Sequence, residues 1–278
     1  MEQTEATSAS VEETSQKEFD SLIQSLPKIP NWARGHSYKY EGFWYWEDVL
    51  RPILSCKKHF RAQDSDIILS SFPKCGTTWL KAIVAIPDFS NMPAPRLFAA
   101  HSPVLSLGDE VTNSGYCLIS SWHFVNKLRS LGSDTTSFCE AFDSFCGEED
   151  IYGPFWDHIL GHWRMSLVVP KSVLFLTYEQ ISEQPNHYVK KIAEFLGCPF
   201  STVEEDEEVV NGVVKMCSFN HLSQLEVNKS GVTKLGHDNR LFFRRGEIGD
   251  SNNLLTSEMI NKMDQIAQKK FSPYGLKM

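Results

Sequence analysis

No C-x-x-C pair occurs anywhere in the 278 residues. The seven cysteines, at 56, 75, 117, 139, 146, 198 and 217, are odd in number. That excludes a disulfide framework and a zinc site of ordinary spacing, and it points to reduced thiols. No apolar run reaches the ~18 residues that a membrane span needs. The opening MEQTEATSASVEETSQKEF has neither a basic head nor an apolar centre, so it is not a secretory leader. The expected address is cytoplasmic, with Met1 to Ser15 a disordered acidic tail and residues 16–278 one domain. Positive charge is also short: 27 Lys and Arg stand against 35 Asp and Glu, a net charge of −8. General attraction to nucleic acid or to an anionic membrane is therefore disfavoured. An anionic ligand must be held by a local positive site.

Glycine is scarce where a nucleotide-triphosphatase loop would need it. The stretch SSFPKCGTTWLKAI has a single Gly76, and Lys74 precedes it instead of following a second glycine. The layout is nonetheless that of a phosphate loop. DIILSSF (66–72) reads as a buried strand and TTWLKAIVAI (77–86) as the helix after it. A loop in that position offers backbone N–H groups at the positive end of a helix. Cys75, Gly76, Thr77 and Thr78 could wrap an oxyanion there, with Lys74 adding charge. An ordinary strand–turn–helix with a surface lysine stays open on spacing alone.

Strand and helix signals go on alternating. PRLFAAH (95–101) and SVLFLTY (172–178) read as strands. Trp156, Ile159, Leu160 and Trp163 share a helix face behind Pro154. YVKKIAEFLG (188–197) ends at a glycine cap, and TSEMINKMDQIAQKKF (256–271) starts at Thr256. The pattern implies an α/β fold, one central parallel sheet flanked by helices, with ligands at the carboxyl ends of its strands. His158 and His162, four apart on one helix, lack a third ligand and read as a packed or solvated face.

Several segments in order, PKCGTTW, PRLFAAHSP, ISSWHF, LTYEQI, CSFNHLSQLEVNK and RRGEIGDSNN, resemble the plant cytosolic sulfotransferases that use 3′-phosphoadenosine 5′-phosphosulfate (PAPS). The resemblance runs over nearly all the chain after Phe19. It implies that the loop with Thr77 and Thr78 holds the 5′-phosphate. Lys74 then meets the bridging oxygen of the leaving group, where charge builds in the transition state. By the same resemblance His101 is the general base on an acceptor hydroxyl. Trp79, Phe219 and Tyr178 lie about the adenine, and Ser120, Arg244, Arg245 and Gly246 at the 3′-phosphate. The chemistry requires no metal. The expected acceptor is a small hydroxylated molecule, such as a flavonoid, a steroid or a hydroxylated acid. The alternative is an impaired relative that binds nucleotide or a partner without turnover.

The departures are specific. Cys75 replaces the family's Ser or Thr, Arg245 replaces Lys, and Ser251 replaces Trp. A strand with its phosphate-binding arginine is expected ahead of the Ser120 segment, yet Cys117 runs straight into LISSWHF. A long helical segment covering the acceptor pocket is expected between LKAIVAI and PRLFAAHSP, where only PDFSNMPA stands. The sequence therefore predicts a central sheet short of one strand.

Overall fold

A computed structural model of the chain describes residues 15–33, 35–85, 96–101, 109–111, 114–129, 135–206, 208–233, 236–246 and 254–277. Of the expected tail only Ser15 falls within them. It is buried at the start of a helical stretch over residues 15–25, α1.

An antiparallel sheet follows, unforeseen in the sequence. Strands β1 (Lys28–Pro30), β2 (His36–Tyr40) and β3 (Phe43–Trp46) pair in chain order. Glu41 and Gly42, both at positive φ, make the two-residue turn between β2 and β3. Turns of that kind match the twist of paired strands. Helix α2 (Glu47–His59) packs Leu50 and Leu54 against Ile23 and Tyr45, so this part has its own apolar cluster.

The central sheet is parallel throughout, in the order β5-β4-β6-β7. Strand β4 (Ile67–Ser71) leads through the loop into α3 (Thr77–Val84), and β5 (Leu97–Ala100) lies beside β4 from Ile67↔Leu97 to Ser70↔Ala100. These elements stand where the apolar runs put them. The predicted gap does not. Strand β6 (Asp109–Val111) sits between β4 and β7 (Phe175–Thr177), pairing Ser70↔Asp109 and Val111↔Thr177. Buried backbone groups need partners, and three extended residues supply them at the carboxyl end of the sheet. The Cys117 junction is not a break either. It lies inside one continuous helix, α4 (Ser114–Arg129).

Two further expectations are corrected. The strand predicted over 172–178 is held to three residues, matching its three-residue neighbour. Tyr178 is no strand residue but opens α7 (Tyr178–Glu183), because Thr177 and Gln180 form a reciprocal capping box there. Between these come α5 (Phe138–Cys146) and α6 (Phe155–Val168), with Pro154 at the N-cap of α6. Helix α8 (Pro185–Phe195) follows α7. Phe72, Cys75, Cys117, Phe145, Trp156 and the terminal helix Ser257–Phe271 build one core cluster. Leu69, Leu80, Leu176, Ile181 and Ile192 build another.

Candidate functional site

The candidate loop and His101 lie at the carboxyl ends of the adjacent strands β4 and β5. The backbone leaves β4 through a turn in which Lys74 has φ 68° and Gly76 has φ 102°. Left-handed backbone at a lysine costs about 1–3 kcal/mol and persists only where its surroundings enforce it. Gly76 caps α3 in that conformation, which a side chain would resist. The Cys75 amide donates to Phe72 O at 3.2 Å, closing the turn. The amides of Gly76, Thr77 and Thr78 find no backbone acceptor among the described residues, as the first turn of a helix requires. They can serve an anion. The Thr77 hydroxyl is hydrogen-bonded to Ser71 Oγ and so ties the loop to its strand, while Thr78 is exposed.

Lys74 points into an aromatic slot. Its Nζ lies 4.4 Å from the ring centre of Phe124 and 5.1 Å from that of Phe242, and those two rings are 5.3 Å apart. Burial, then the Arg244 charge, push its pKa down to about 8. Burial and next Arg245 also lower the pKa of Arg244. His123 is lowered by burial and by Arg244, Lys127 and Arg245. Cations therefore crowd together here in a chain of net charge −8. Like charges held this close in partly buried ground destabilise one another. Ser120 lies one turn before Phe124 on α4, so both occupy the same helix face. Arg245 is exposed.

The aromatic residues fall into two groups. Trp79 and Tyr178 meet edge to face at 5.3 Å. Phe219 packs at a tilt 5.9 Å from Phe243 and lies against Gly246. A Cβ built on Gly246 would stand 2.4 Å from Phe219 Cδ2, and Gly246 is at φ 67°, so no other residue fits the cradle. The rest of the late motif, 247–253, lies outside the described residues, as do the pocket junction over 86–95 and residues 102–108.

His101 follows β5. Its Nδ1–H donates to Ser71 O at 2.8 Å, which fixes the tautomer and leaves Nε2 as the basic nitrogen. Burial above all, then Lys81 and Lys74, hold its pKa below the ordinary value, so the ring is neutral at pH 7. Tyr152 packs edge-on at 5.7 Å. Behind it, His158 Nε2–H donates to His101 O at 3.3 Å and His162 Nδ1–H to His158 O at 2.8 Å. Both are buried and pushed down, to about 3 and about 4, by desolvation. They are packed helix-face residues, and His158 braces the His101 backbone. No group of three or more metal-type ligands is found among the described residues.

The sequence reading missed Phe124, Phe242 and Lys127. Phe124 could have been found from its i+4 spacing to Ser120 on a helix, whereas Phe242 comes close only through the fold.

The model of the sulfotransferase domain family matches residues 84–275. Cytosolic sulfotransferase 5 of Arabidopsis thaliana is 38% identical over 311 residues, covering 94% of this chain and 96% of the relative. An alignment longer than the chain itself means that the relative carries several tens of residues with no counterpart here, in accord with the two short junctions. A solved sulphotransferase of Arabidopsis thaliana is 32% identical over 93% of this chain and 94% of its own, with a TM-score of 0.68. Retinol dehydratase in a complex with retinol and PAP shares the fold at a TM-score of 0.72 and 15% identity, covering 94% of this chain and 96% of its own. With that family match over most of its length, the chain belongs to the sulfotransferases, among the cytosolic enzymes of plants.

Proposed function

We propose that the chain transfers a sulfuryl group from PAPS to the hydroxyl of a small, apolar acceptor. Residues 16–278 act as one sulfotransferase domain. The observation that carries the reading is the meeting, at adjacent strand ends, of a neutral His101 with a basic Nε2 and a cation-lined loop with open amides.

The residues fit the donor. Open amides at the start of α3 and the hydroxyl of Thr78 suit a 5′-phosphate. Ser120 and Arg244 suit the 3′-phosphate, with Arg245 at the rim. Trp79, Tyr178 and Phe219 offer aromatic faces to adenine, and Gly246 admits the backbone closely. When bound there, the donor supplies the sulfuryl group and leaves as adenosine 3′,5′-bisphosphate. His101 Nε2 takes the proton of the acceptor hydroxyl, and the hydrogen bond from its Nδ1–H to the Ser71 carbonyl stabilises the imidazolium that forms. The Lys74 ammonium meets the charge that builds on the leaving oxygen, a stabilisation larger in the transition state than before it. A group confined between two rings is already oriented, so little reorganisation is needed. The Tyr152 ring beside His101 supports an apolar alcohol or phenol as acceptor, and retinol in the complex named above is a molecule of that class. The relatives' names agree with a cytoplasmic address. No helix among the described residues is long and apolar enough to cross a membrane.

Incubation of the purified chain with PAPS and a panel of phenols and apolar alcohols tests the reading. Sulfate ester and bisphosphate should appear in equal amounts. Bisphosphate binding without ester from any acceptor would move the chain to the non-catalytic alternative.

A further inference from the structure

Two of the chain's departures meet in space. Cys75 stands in the loop where the resemblance calls for Ser or Thr, and Cys117 stands at the shortened junction ahead of Ser120. In the folded chain their sulfurs are 3.0 Å apart, and Cys117 Sγ also lies 3.3 Å from Pro73 O. Both side chains are buried. The Lys74 ammonium is coupled electrostatically to both thiols. The thiolate is the form that reacts.

We propose that Cys75 and Cys117 form a reversible disulfide that switches the donor loop. The oxidant is a small peroxide, as the burial of both sulfurs demands. One thiolate attacks a peroxide oxygen, giving a sulfenic acid and releasing one water. The second thiol attacks the sulfenic sulfur, forming the S–S bond and releasing another. In sum two thiols and one hydrogen peroxide give one disulfide and two waters, and a dithiol reverses the step. A disulfide is about 2.05 Å long, so the sulfurs must close by about 1 Å. That movement falls on the loop beside Lys74 or on the α4 face that carries Ser120 and Phe124. Misplacing binding groups by about 1 Å can cost ~100-fold, and here a loss of tenfold or more in bisphosphate affinity is expected. The effect on affinity rests on the donor-site reading above, whereas bond formation does not.

The test treats the full chain with hydrogen peroxide, digests it with trypsin without reduction, and weighs the fragments. Residues 75–81 should be found joined to residues 97–127, less two hydrogens, and released by dithiothreitol. Bisphosphate titrations should show weaker binding in the oxidised chain and full recovery on re-reduction. Cys117→Ser, with Cys117→Ala as a second choice should the serine disturb packing, should bind normally when reduced and ignore peroxide. Absence of the joined fragment overturns the proposal. So does a joined chain with unchanged affinity, or a Cys117 variant that still loses affinity in peroxide. A joined fragment in a chain that fails to bind bisphosphate even when reduced would instead sink the donor site and the switch, and leave the bond.

Discussion

The two ends of strand β4 are built differently. Its carboxyl end carries left-handed backbone at Lys74 and Gly76, a hydroxyl pair at Ser71 and Thr77, and neighbours on both sides, β5 and β6. Among the described residues, β6 pairs with β4 no further toward the amino end than Asp109, opposite Ser70. Near that end an apolar cavity of about 240 Å³ opens, bordered by Ile67, Leu69, Leu80, Val84, Leu174 and Ile192. The Asp66 carboxylate at this end is held by Arg96 Nε at 2.7 Å, an ion pair that lowers the Asp66 pKa. The short strand thus stands at the end that carries the candidate site, and the cavity lies at the far end. A sheet can lose contacts where nothing must be positioned and still hold a site to fine tolerance where something must.

That contrast is open to measurement. The largest effect belongs to His101. In His101→Ala, kcat should fall about 10²–10⁴-fold while bisphosphate affinity stays put, because the base acts on the acceptor alone. Rapid-quench turnover with a phenolic acceptor measures the first and titration calorimetry the second. Undiminished kcat would remove His101 from the mechanism. In the unchanged enzyme the acid limb of kcat/KM should lie below the ordinary imidazole range, since burial lowers this imidazole in the free enzyme.

Arg244→Ala comes next. Loss of a charge-assisted contact to a phosphate costs about 1.5–3 kcal/mol, roughly tenfold to a hundredfold in bisphosphate affinity. The shift in melting temperature with ligand should shrink accordingly. A smaller effect concerns pH. Lys74 is a base whose pKa in the empty site is about 8, and a bound anion must raise it. Binding is therefore full while the amine is protonated, below pH 8, and weakens as pH rises through that value. One proton of linkage predicts about a tenfold loss between pH 7 and pH 9. A flat profile over that range would show that the Lys74 charge does not meet the anion.

The smallest effect should appear at the other end. Val84→Leu adds one methylene to the cavity wall, worth about 0.8 kcal/mol. It should raise the melting temperature by about 1–3 °C and leave bisphosphate affinity unchanged. A change in donor affinity would show that the two ends of β4 are coupled.

What could be read in the sequence follows from how local each signal is. Strand β4, its loop and α3 were legible because an apolar run, a lone glycine and an apolar helix follow one another within twenty residues. The β2–β3 hairpin was missed although its signal is equally local. Glu-Gly is a weaker turn mark than Asn-Gly, and the aromatic run FWYW has no clear alternation. Strand β6 was not legible at all, for three residues carry no period and their place is fixed by the pairing needs of β4 and β7. The site divides in the same way. Lys74, Gly76 and His101 sit beside recognisable strand ends. The slot of Phe124 and Phe242, and the approach of Cys117 to Cys75, join parts of the chain that only folding brings together.

The slot around Lys74 also makes this amine a chemical handle. A lysine half unprotonated at pH 8 is a far better nucleophile toward an activated ester than one of ordinary basicity. The rings on either side would favour a flat aryl reagent. Acylation there would count competent donor sites in a preparation, bisphosphate would protect them, and the ratio of labelled to total chain would give the folded, binding-ready fraction without any acceptor being known.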